Sequence, residues 1–325
     1  MDVIYTDNAL NDVGILQGYS LDVDVAENRD FEIKVPIDHV GLTVGGYVYI
    51  NGQEYGGRID KIKVDTNAKE IIFSGRDWRG ILASKIVCPP DGEDYRILNG
   101  SWRPLMQGIF DEYGLSNIFL AEDASPDLAV SNWKVDRYVT VLDMINKLLD
   151  QNGYRINLYW SGKDGKVRVG ALPIRDLTDS VQYETDDHVG LVVEDNRGGV
   201  NHLICLGQGD LAAREVVHLY CTATGGITEN EQYYTGPDEI VDVFEDTSAE
   251  DRASLKEGGF NRLKELKNSK AFSATVDDYD VQIGDIVGGV ERVTGMRVAA
   301  PVTNIIFKIS GTGETSIEYK VGEDT

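Results

Sequence analysis

The stretch LDVDVAENRDFEIKV, residues 21–35, decides the fold class of the chain. Apolar side chains alternate with polar ones on both sides of a polar turn formed by Glu27, Asn28 and Arg29. This period of two is typical of β-strands, because successive side chains of a strand point to opposite faces. The stretch therefore predicts two strands joined by a tight turn.

Further short strands surround this hairpin. YVYING (47–52) ends in Asn51-Gly52, a strong turn signal, and EYGGRIDKIKVD follows as a returning strand. KEIIFSGRDW (69–78) predicts another strand. Such a succession of strands and glycine turns favours a small barrel or sandwich over residues 1–88.

The segment GRDWRG (75–80) resembles a phosphate-binding loop only in its glycines. It lacks the GxxxxGK[ST] pattern, so we interpret its glycines as turn residues. Arg76, Asp77 and Arg79 lie close to a strand end and either form a salt-bridged corner or face a partner subunit.

A change of character after Cys88-Pro89-Pro90 predicts a domain boundary. TVLDMINKLLDQNG (140–153) predicts a helix, with Thr140 as N-cap, Asp143 three residues later and Gly153 as the stop. WRPLMQGIFDEY (102–113) favours a shorter helix. YRINLYW and KVRVGAL then alternate as strands around the turn SGKDG, which predicts an α+β middle domain over 89–188.

Strands return over residues 189–325, with one inserted helix near 248–268. We expect Ser248 to cap that helix with Asp251 at its third position, and Gly258-Gly259 to mark a kink or break. The overall prediction is an α+β, mainly β fold: β domains over 1–88 and 189–325, and a smaller α+β insert between them.

Composition limits the function. The 325 residues carry 55 Asp and Glu against 31 Lys and Arg, a net charge of −24. Binding of nucleic acid through phosphate neutralisation needs clustered basic residues, so this charge argues against it. Three cysteines without a recognisable signal sequence favour free thiols in a reducing compartment, and no apolar run is long enough to predict a membrane span.

The stretch HLICLGQGDLAAREVVHLYC (202–221) carries zinc-ligand residue types in two pairs, His202 with Cys205 and His218 with Cys221. A zinc knuckle needs each pair on a tight turn, whereas the intervening residues here are apolar and favour strands. Residues three apart on a strand point to opposite faces, so each pair diverges. We expect a hairpin with its turn in GQGD, in which cross-strand pairing joins at most one His and one Cys, and we predict no metal site. The alternative is a zinc site with all four of these residues as ligands.

Other catalytic signals are weak. His39 and His188 are isolated, and neither GxSxG nor HExxH occurs. Adjacent carboxylates are expected by chance in so acidic a chain, and Asp22-x-Asp24 and Asp277-Asp278-x-Asp280 lack the EF-hand pattern for Ca²⁺. The sequence therefore predicts no catalytic residues and no cofactor.

The segments together resemble a known family. In chain order they are DFEIKVP, SGRDWRGILASKIV, TVLDMINKLLDQNGYRI, NHLICLGQGDLAAREVVHLY and YDVQIGDIV with VAAPVTNIIFKI. They resemble the tail-hub family of long-tailed bacteriophages, the "Gp37-like" siphovirus tail proteins. That family is related to baseplate hubs of contractile phages and of phage-tail-like bacteriocins.

The resemblance implies two tail-tube-like β-barrels joined with smaller inserts, and a homotrimer with pseudo-six-fold symmetry. It implies a virion tail protein, assembled in the host bacterial cytoplasm. Its partners would be the distal tail protein or tube subunits on one side and a spike or fibre on the other. An acidic channel would let DNA pass without specific binding.

Two alternatives of other classes stay open. One is a tail-associated cell-wall hydrolase, although little length is left for an added enzyme. The other is a receptor- or carbohydrate-binding module, for which Tyr233-Tyr234, Trp102 and Trp160 would supply stacking surfaces.

Overall fold

A computed structural model describes residues 1–38, 41–178, 182–184, 190–223, 225–249, 251–267, 269–276, 281–290, 295 and 297–322. These residues form 25 strands and four α-helices, so the mainly β, α+β fold class is confirmed.

The elements follow one another in three groups. The first group is β1 (Val3–Thr6), β2 (Asp12–Ile15), β3 (Ser20–Asp24), β4 (Asp30–Pro36), β5 (Tyr47–Ile50), β6 (Gly56–Arg58), β7 (Lys61–Asp65), β8 (Glu70–Arg76) and α1 (Trp78–Ala83). The second is β9 (Ile86–Val87), β10 (Ile97–Ser101), α2 (Trp102–Glu112), β11 (Phe119–Ala124), β12 (Ala129–Lys134), β13 (Val139–Thr140), α3 (Val141–Asp150), β14 (Tyr154–Ser161) and β15 (Lys166–Pro173). The third is β16 (Gln182–Glu184), β17 (Gly190–Asn196), β18 (His202–Leu206), β19 (Val216–Cys221), β20 (Ile227–Thr228), β21 (Val241–Glu245), α4 (Arg252–Leu266), β22 (Ser269–Val276), β23 (Ile286–Val290), β24 (Arg297–Ile309) and β25 (Thr315–Val321).

A ten-stranded sheet joins the two ends of the chain. Its main path runs β17-β22-β25-β24-β3-β4-β8-β7, and β23 with β16 branches from β24. The N-terminal and C-terminal strands meet at the antiparallel pair β3 and β24, in which Val23 lies opposite Phe307. The terminal strands β17 and β7 do not pair with each other among the described residues. The sheet is therefore open there, whereas the family resemblance implied two β-barrels.

The predicted hairpin of residues 21–35 is confirmed as β3 and β4. In β4 the side chains alternate between exposed and buried along all seven residues, as the period of two requires. Its buried residues Phe31, Ile33 and Val35 share one core with Phe307 and Tyr319 from the C-terminal strands.

The middle of the chain has its own core. The sheet β11-β15-β14 pairs β11 and β15 in parallel and β14 and β15 as the predicted antiparallel hairpin, and α2 and α3 pack in the same cluster. This core also takes residues from before position 88: Trp160 stacks on Tyr49 at 4.1 Å and lies 5.6 Å from Trp78 between ring centroids. The domain boundaries after 88 and 188 stay predictions.

Helix α3 begins and ends as its sequence predicts. The Thr140 side chain accepts a hydrogen bond from the Asp143 backbone N–H, and Gly153 adopts a φ of 74° after the last turn. The helix near 102–113 is confirmed as α2.

Helix α4 differs from its prediction at the start. Asp251, not Ser248, is the N-cap and accepts from the Ser254 N–H, while the Ser248 hydroxyl bonds to Asp246. A break at Gly258-Gly259, the second possibility expected there, does not occur, because α4 is continuous from Arg252 to Leu266. A Cβ on Gly259 would lie 2.2 Å from the Cys205 sulfur, so this glycine serves close helix-to-sheet packing.

The short helix α1 was not predicted, because GRDWRG was interpreted as a turn. Gly75 lies inside β8, and a Cβ there would meet the Arg58 carbonyl oxygen at 1.9 Å. Gly80 lies inside α1, where a Cβ would be 2.3 Å from the Arg29 carbonyl oxygen. These glycines permit close approach of backbones, and the interpretation as turn residues was wrong.

Candidate interaction surfaces

The exposed face of the large sheet carries charges of both signs. Strand pairing places Lys308 opposite Asp22, and Asp22 opposite Glu32. Lys308 Nζ lies 3.2 Å from the Asp22 carboxylate, and Lys34 Nζ lies 3.2 Å from that of Glu32. All four side chains are about half exposed, so each pair contributes little to stability, about 0–1 kcal/mol.

A groove of about 720 Å³ runs over this face, between the ends of β3, β4, β24 and β25. On the outermost strand β7, Lys61 and Lys63 point to the same side as Lys34, by the register with β8 and β4. Asp65 and Glu70 lie on the same side by this register, so basic and acidic side chains are mixed on this face.

The corner predicted around Arg76, Asp77 and Arg79 is salt-bridged. Arg76 binds Asp60, with Nε 2.7 Å from the carboxylate, and the buried Arg79 binds Glu54 with Nε at 2.5 Å. Asp77 is buried and caps α1 by accepting from the Gly80 N–H at 2.6 Å. Burial raises the pKa of Asp77 well above its usual value.

A buried ion network joins the middle of the chain to its C-terminal part. The fully buried Asp285 accepts from Arg155 Nε at 2.9 Å and from Arg175 Nη2 at 2.6 Å. The backbone N–H of Gln282 also donates to this carboxylate, at 3.0 Å. The sequence does not predict this network, because Arg175 and Arg155 precede Asp285 by 110 and 130 positions and no local pattern marks them.

The hairpin predicted over 202–221 is confirmed as β18 and β19, with the turn after Leu206. It lies in a separate sheet of order β20-β19-β18-β21 rather than in the ten-stranded sheet. One face of this small sheet packs on α4 through buried residues, which are Leu203, Cys205, Val217, Leu219, Cys221, Leu255 and Leu263. Leu203, Val217 and Leu219 thus form the core between this sheet and α4.

The four zinc-type residues do not converge. Cys205 and Cys221 lie on the face covered by α4, and burial raises the pKa of the Cys205 thiol to about 11. His202 and His218 lie on the opposite face, because each is an odd number of residues from its cysteine. The register places His202 opposite Tyr220 and His218 opposite Ile204, so the two histidines are diagonal neighbours on one face. No His meets a Cys across the strands, although the sequence had suggested that one such pair could form.

The two histidines form a polar chain with Glu239. His202 Nε2 lies 2.8 Å from His218 Nδ1, and His202 Nδ1 lies 2.6 Å from the Glu239 carboxylate. The Tyr220 ring packs 4.5 Å from the His202 ring. Desolvation, together with the neighbouring His202, lowers the pKa of His218.

The rest of this face is apolar and uncovered within the chain. Val216, Val241 and Val243 are 38%, 46% and 55% exposed, around the partly buried Ile204 and Leu206. Two carboxylates near its border are paired: Glu239 with His202 and Glu245 with Arg214.

Other predicted candidates have ordinary structural places. Trp102 and Trp160 are buried in the middle core, so the stacking role suggested for them is wrong, while Tyr233 is exposed. Asp22 forms an ion pair with Lys308, and the Asp24 carboxylate accepts hydrogen bonds from the side-chain amides of Asn28 and Asn304. His39, His188 and residues 277–280 lie outside the described residues.

No group of three or more His, Cys, Asp or Glu side chains in the described part of the chain is arranged to hold a metal ion. Among the described helices, none is long and apolar enough to cross a membrane.

Comparison by sequence finds no matching protein family and no matching curated protein. Comparison of structures finds similar folds, among them those of three tail proteins. The chain is similar to a tail protein from Neisseria meningitidis MC58 (16% identity, TM-score 0.56), with 99% of this chain and 96% of that one covered. It is similar to the 43 kDa tail protein of prophage MuSo2 from Shewanella oneidensis (11%, 0.59), with 99% and 98% covered.

The third is the prophage tail protein gp18 from Listeria monocytogenes EGD-e, with 15% identity, a TM-score of 0.51 and coverage of 98% and 94%. The resemblance inferred from the sequence is thus confirmed for the fold, end to end. The chain has the fold of phage tail proteins.

Proposed function

We propose that the protein is a structural, non-enzymatic hub of a phage tail or baseplate. It forms a trimeric, pseudo-six-fold ring at the distal end of the tail tube and adapts the tube to a spike or fibre. The observation that carries this proposal is the shared fold with three tail proteins over at least 98% of the chain. A fold shared over a single segment would fit many roles, whereas agreement from end to end fits one common architecture.

The large sheet supports the proposal physically. Strands from both ends of the chain meet at the β3 and β24 pair and share one core. In a ring, such a continuous sheet lets each protomer span a wide arc of the wall without a flexible linker. Three protomers would then complete a wall that matches a six-fold tube.

The partners follow from this placement. We propose that the ring contacts the distal tail protein or tube subunits on one side and a spike or fibre on the other. The protein would assemble in the host bacterial cytoplasm and reside in the virion tail. DNA would pass through without specific binding, because a net charge of −24 disfavours phosphate contacts.

The test is the mass of the purified full chain in solution, by light scattering after size exclusion, across a concentration series. The proposal predicts a species of about 108 kDa, three times 35.9 kDa, that grows with concentration. If the protein stays a monomer at every concentration, and also when its distal tail protein is added, the ring proposal is wrong.

A further inference from the structure

The tail role gives no task to the polar chain of His202, His218 and Glu239. These three side chains come from β18, β19 and the segment before β21, and the fold brings them together without any sequence motif that spans them. Their contacts of 2.8 Å and 2.6 Å are direct, and His218 is exposed to solvent.

Glu239 fixes the proton on His202. A carboxylate accepts hydrogen bonds, so His202 Nδ1 carries the N–H that it donates to Glu239. In the neutral ring the lone pair then lies on Nε2, which faces His218 Nδ1. A carboxylate on the far nitrogen of a histidine is the arrangement that orients metal-binding histidines in proteins.

The distance between the two facing nitrogens matches a metal chelate. Two nitrogens bound at about 2.0–2.1 Å to one ion, with about 90° between the bonds, are about 2.9 Å apart. At a tetrahedral angle they are about 3.3 Å apart. The observed 2.8 Å lies close to the first of these separations. Chelation also requires both rings to rotate, because the two nitrogens point at each other in the hydrogen bond and must instead converge on the ion.

We propose that His202 Nε2 and His218 Nδ1 chelate one divalent transition-metal ion of the class that prefers imidazole, such as Zn²⁺, Cu²⁺ or Ni²⁺. Glu239 is a positioning residue that holds the His202 ring, and water fills the remaining coordination positions. On binding, the N–H···N hydrogen bond is replaced by two metal–nitrogen bonds. His218 exchanges its proton from Nδ1 to Nε2 through solvent, so the neutral pair releases no net proton.

The cysteines take no part in this site. Cys205 and Cys221 are buried against α4 on the other face of the sheet, so a metal held by the histidines cannot reach their sulfurs. This separates the proposal from a four-ligand zinc site and makes it testable by ligand type.

The test is a Zn²⁺ titration of the untagged full chain near neutral pH, by isothermal calorimetry. We expect one saturable site per chain, a loss of affinity of at least about tenfold in His218→Ala, and a loss of about 10–100-fold in Glu239→Gln. Cys88→Ser, which removes an exposed thiol outside this sheet, should bind as the wild type does. Absence of a saturable site, or unchanged binding in His218→Ala, means that only scattered carboxylates bind zinc and overturns the proposal.

Two measurements on the wild type need no variant to fold. With Co²⁺ as probe, the proposal predicts a spectrum of nitrogen and oxygen ligands, and a sulfur-to-cobalt charge-transfer band contradicts it. By ¹⁵N NMR of the histidine rings, Zn²⁺ should shift two of the four histidines, with the His218 tautomer changing. Shifts at other histidines alone would overturn the assignment.

Discussion

Gly259 allows helix α4 to pack close to the small sheet, because it has no side chain. A Cβ there would lie 2.2 Å from the Cys205 sulfur and 3.1 Å from a Leu219 methyl carbon. Alanine improves helix propensity by about 1 kcal/mol. The overlap exceeds that gain, because both neighbours are fully buried and cannot move aside.

We therefore expect Gly259→Ala to lower the free energy of unfolding by about 1–3 kcal/mol, measured by urea denaturation. Gly258→Ala is the matched control, since its Cβ would meet the partly exposed Phe244 ring at 3.3 Å and the Asp246 carboxylate at 3.8 Å. It should be close to neutral. If both variants are equally stable, helix α4 does not pack as described.

Asp77 predicts a pH dependence of stability. Its folded pKa is raised above the ordinary 3.8 mainly by burial, so the folded chain holds a proton that the unfolded chain has released. The free energy of unfolding should therefore fall as pH rises from about 3.8 through the raised pKa. Asp77→Asn keeps the acceptor for the Gly80 N–H and removes this titration.

The measurement is urea denaturation of the wild type and of Asp77→Asn across a pH series. The stability of the wild type relative to the variant should decrease with rising pH. Asp111→Asn is the control of opposite sign, because hydrogen bonds from Ser116 and Gln107 lower the Asp111 pKa. A wild-type-to-Asp77→Asn difference that is independent of pH would contradict the burial of a titrating carboxyl.

Among the secondary-structure elements, α3 shows most directly how sequence controls structure. Its N-cap contact is 3.0 Å from the Asp143 nitrogen to Thr140 Oγ1, and six of its ten residues are buried. We expect Thr140→Ala to cost about 1 kcal/mol in the free energy of unfolding. Thr140→Ser should retain most of the stability, and equal losses in the two variants would show that the cap contributes nothing.

Elements with a strong local signal in the sequence are the ones that were predicted correctly. Helix α3, the hairpin of β3 and β4 and the hairpin of β18 and β19 carry local signals, namely a cap, a turn and a period. Helix α1 was missed because six residues with an internal glycine give no period. The start of α4 was misplaced because Ser248 and Asp251 are both good caps, and only the packed structure selects between them.

On the scale of the whole molecule, Asp285 links the predicted domain 189–325 to the predicted middle domain 89–188, through Arg155 and Arg175. Replacing it with Asn leaves the buried Arg155 guanidinium without its carboxylate and weakens the hold on Arg175. We expect Asp285→Asn to lower the free energy of unfolding by about 3–5 kcal/mol. Asp22→Asn removes a half-exposed partner of Lys308 and should cost about 1 kcal/mol or less, so similar losses would contradict the network's role.

The long-range features could not be predicted from the residues alone. Nothing local marks the pairing of β3 with β24, the partners of Asp285, or the meeting of His202 with His218. The register decides that the histidines share a face and the cysteines share the other, and one residue of slip would exchange the faces of one strand. The resemblance to tail hubs supplied the overall arrangement that these local patterns lacked.

The central claim is a ring of three chains, and the most direct measurement is electron microscopy of the assembled protein with two-dimensional class averages. The account predicts end-on views with a central channel, three-fold symmetry and six similar wall segments. End-on views with another symmetry, or particles without a channel in the presence of the distal tail protein, would contradict it.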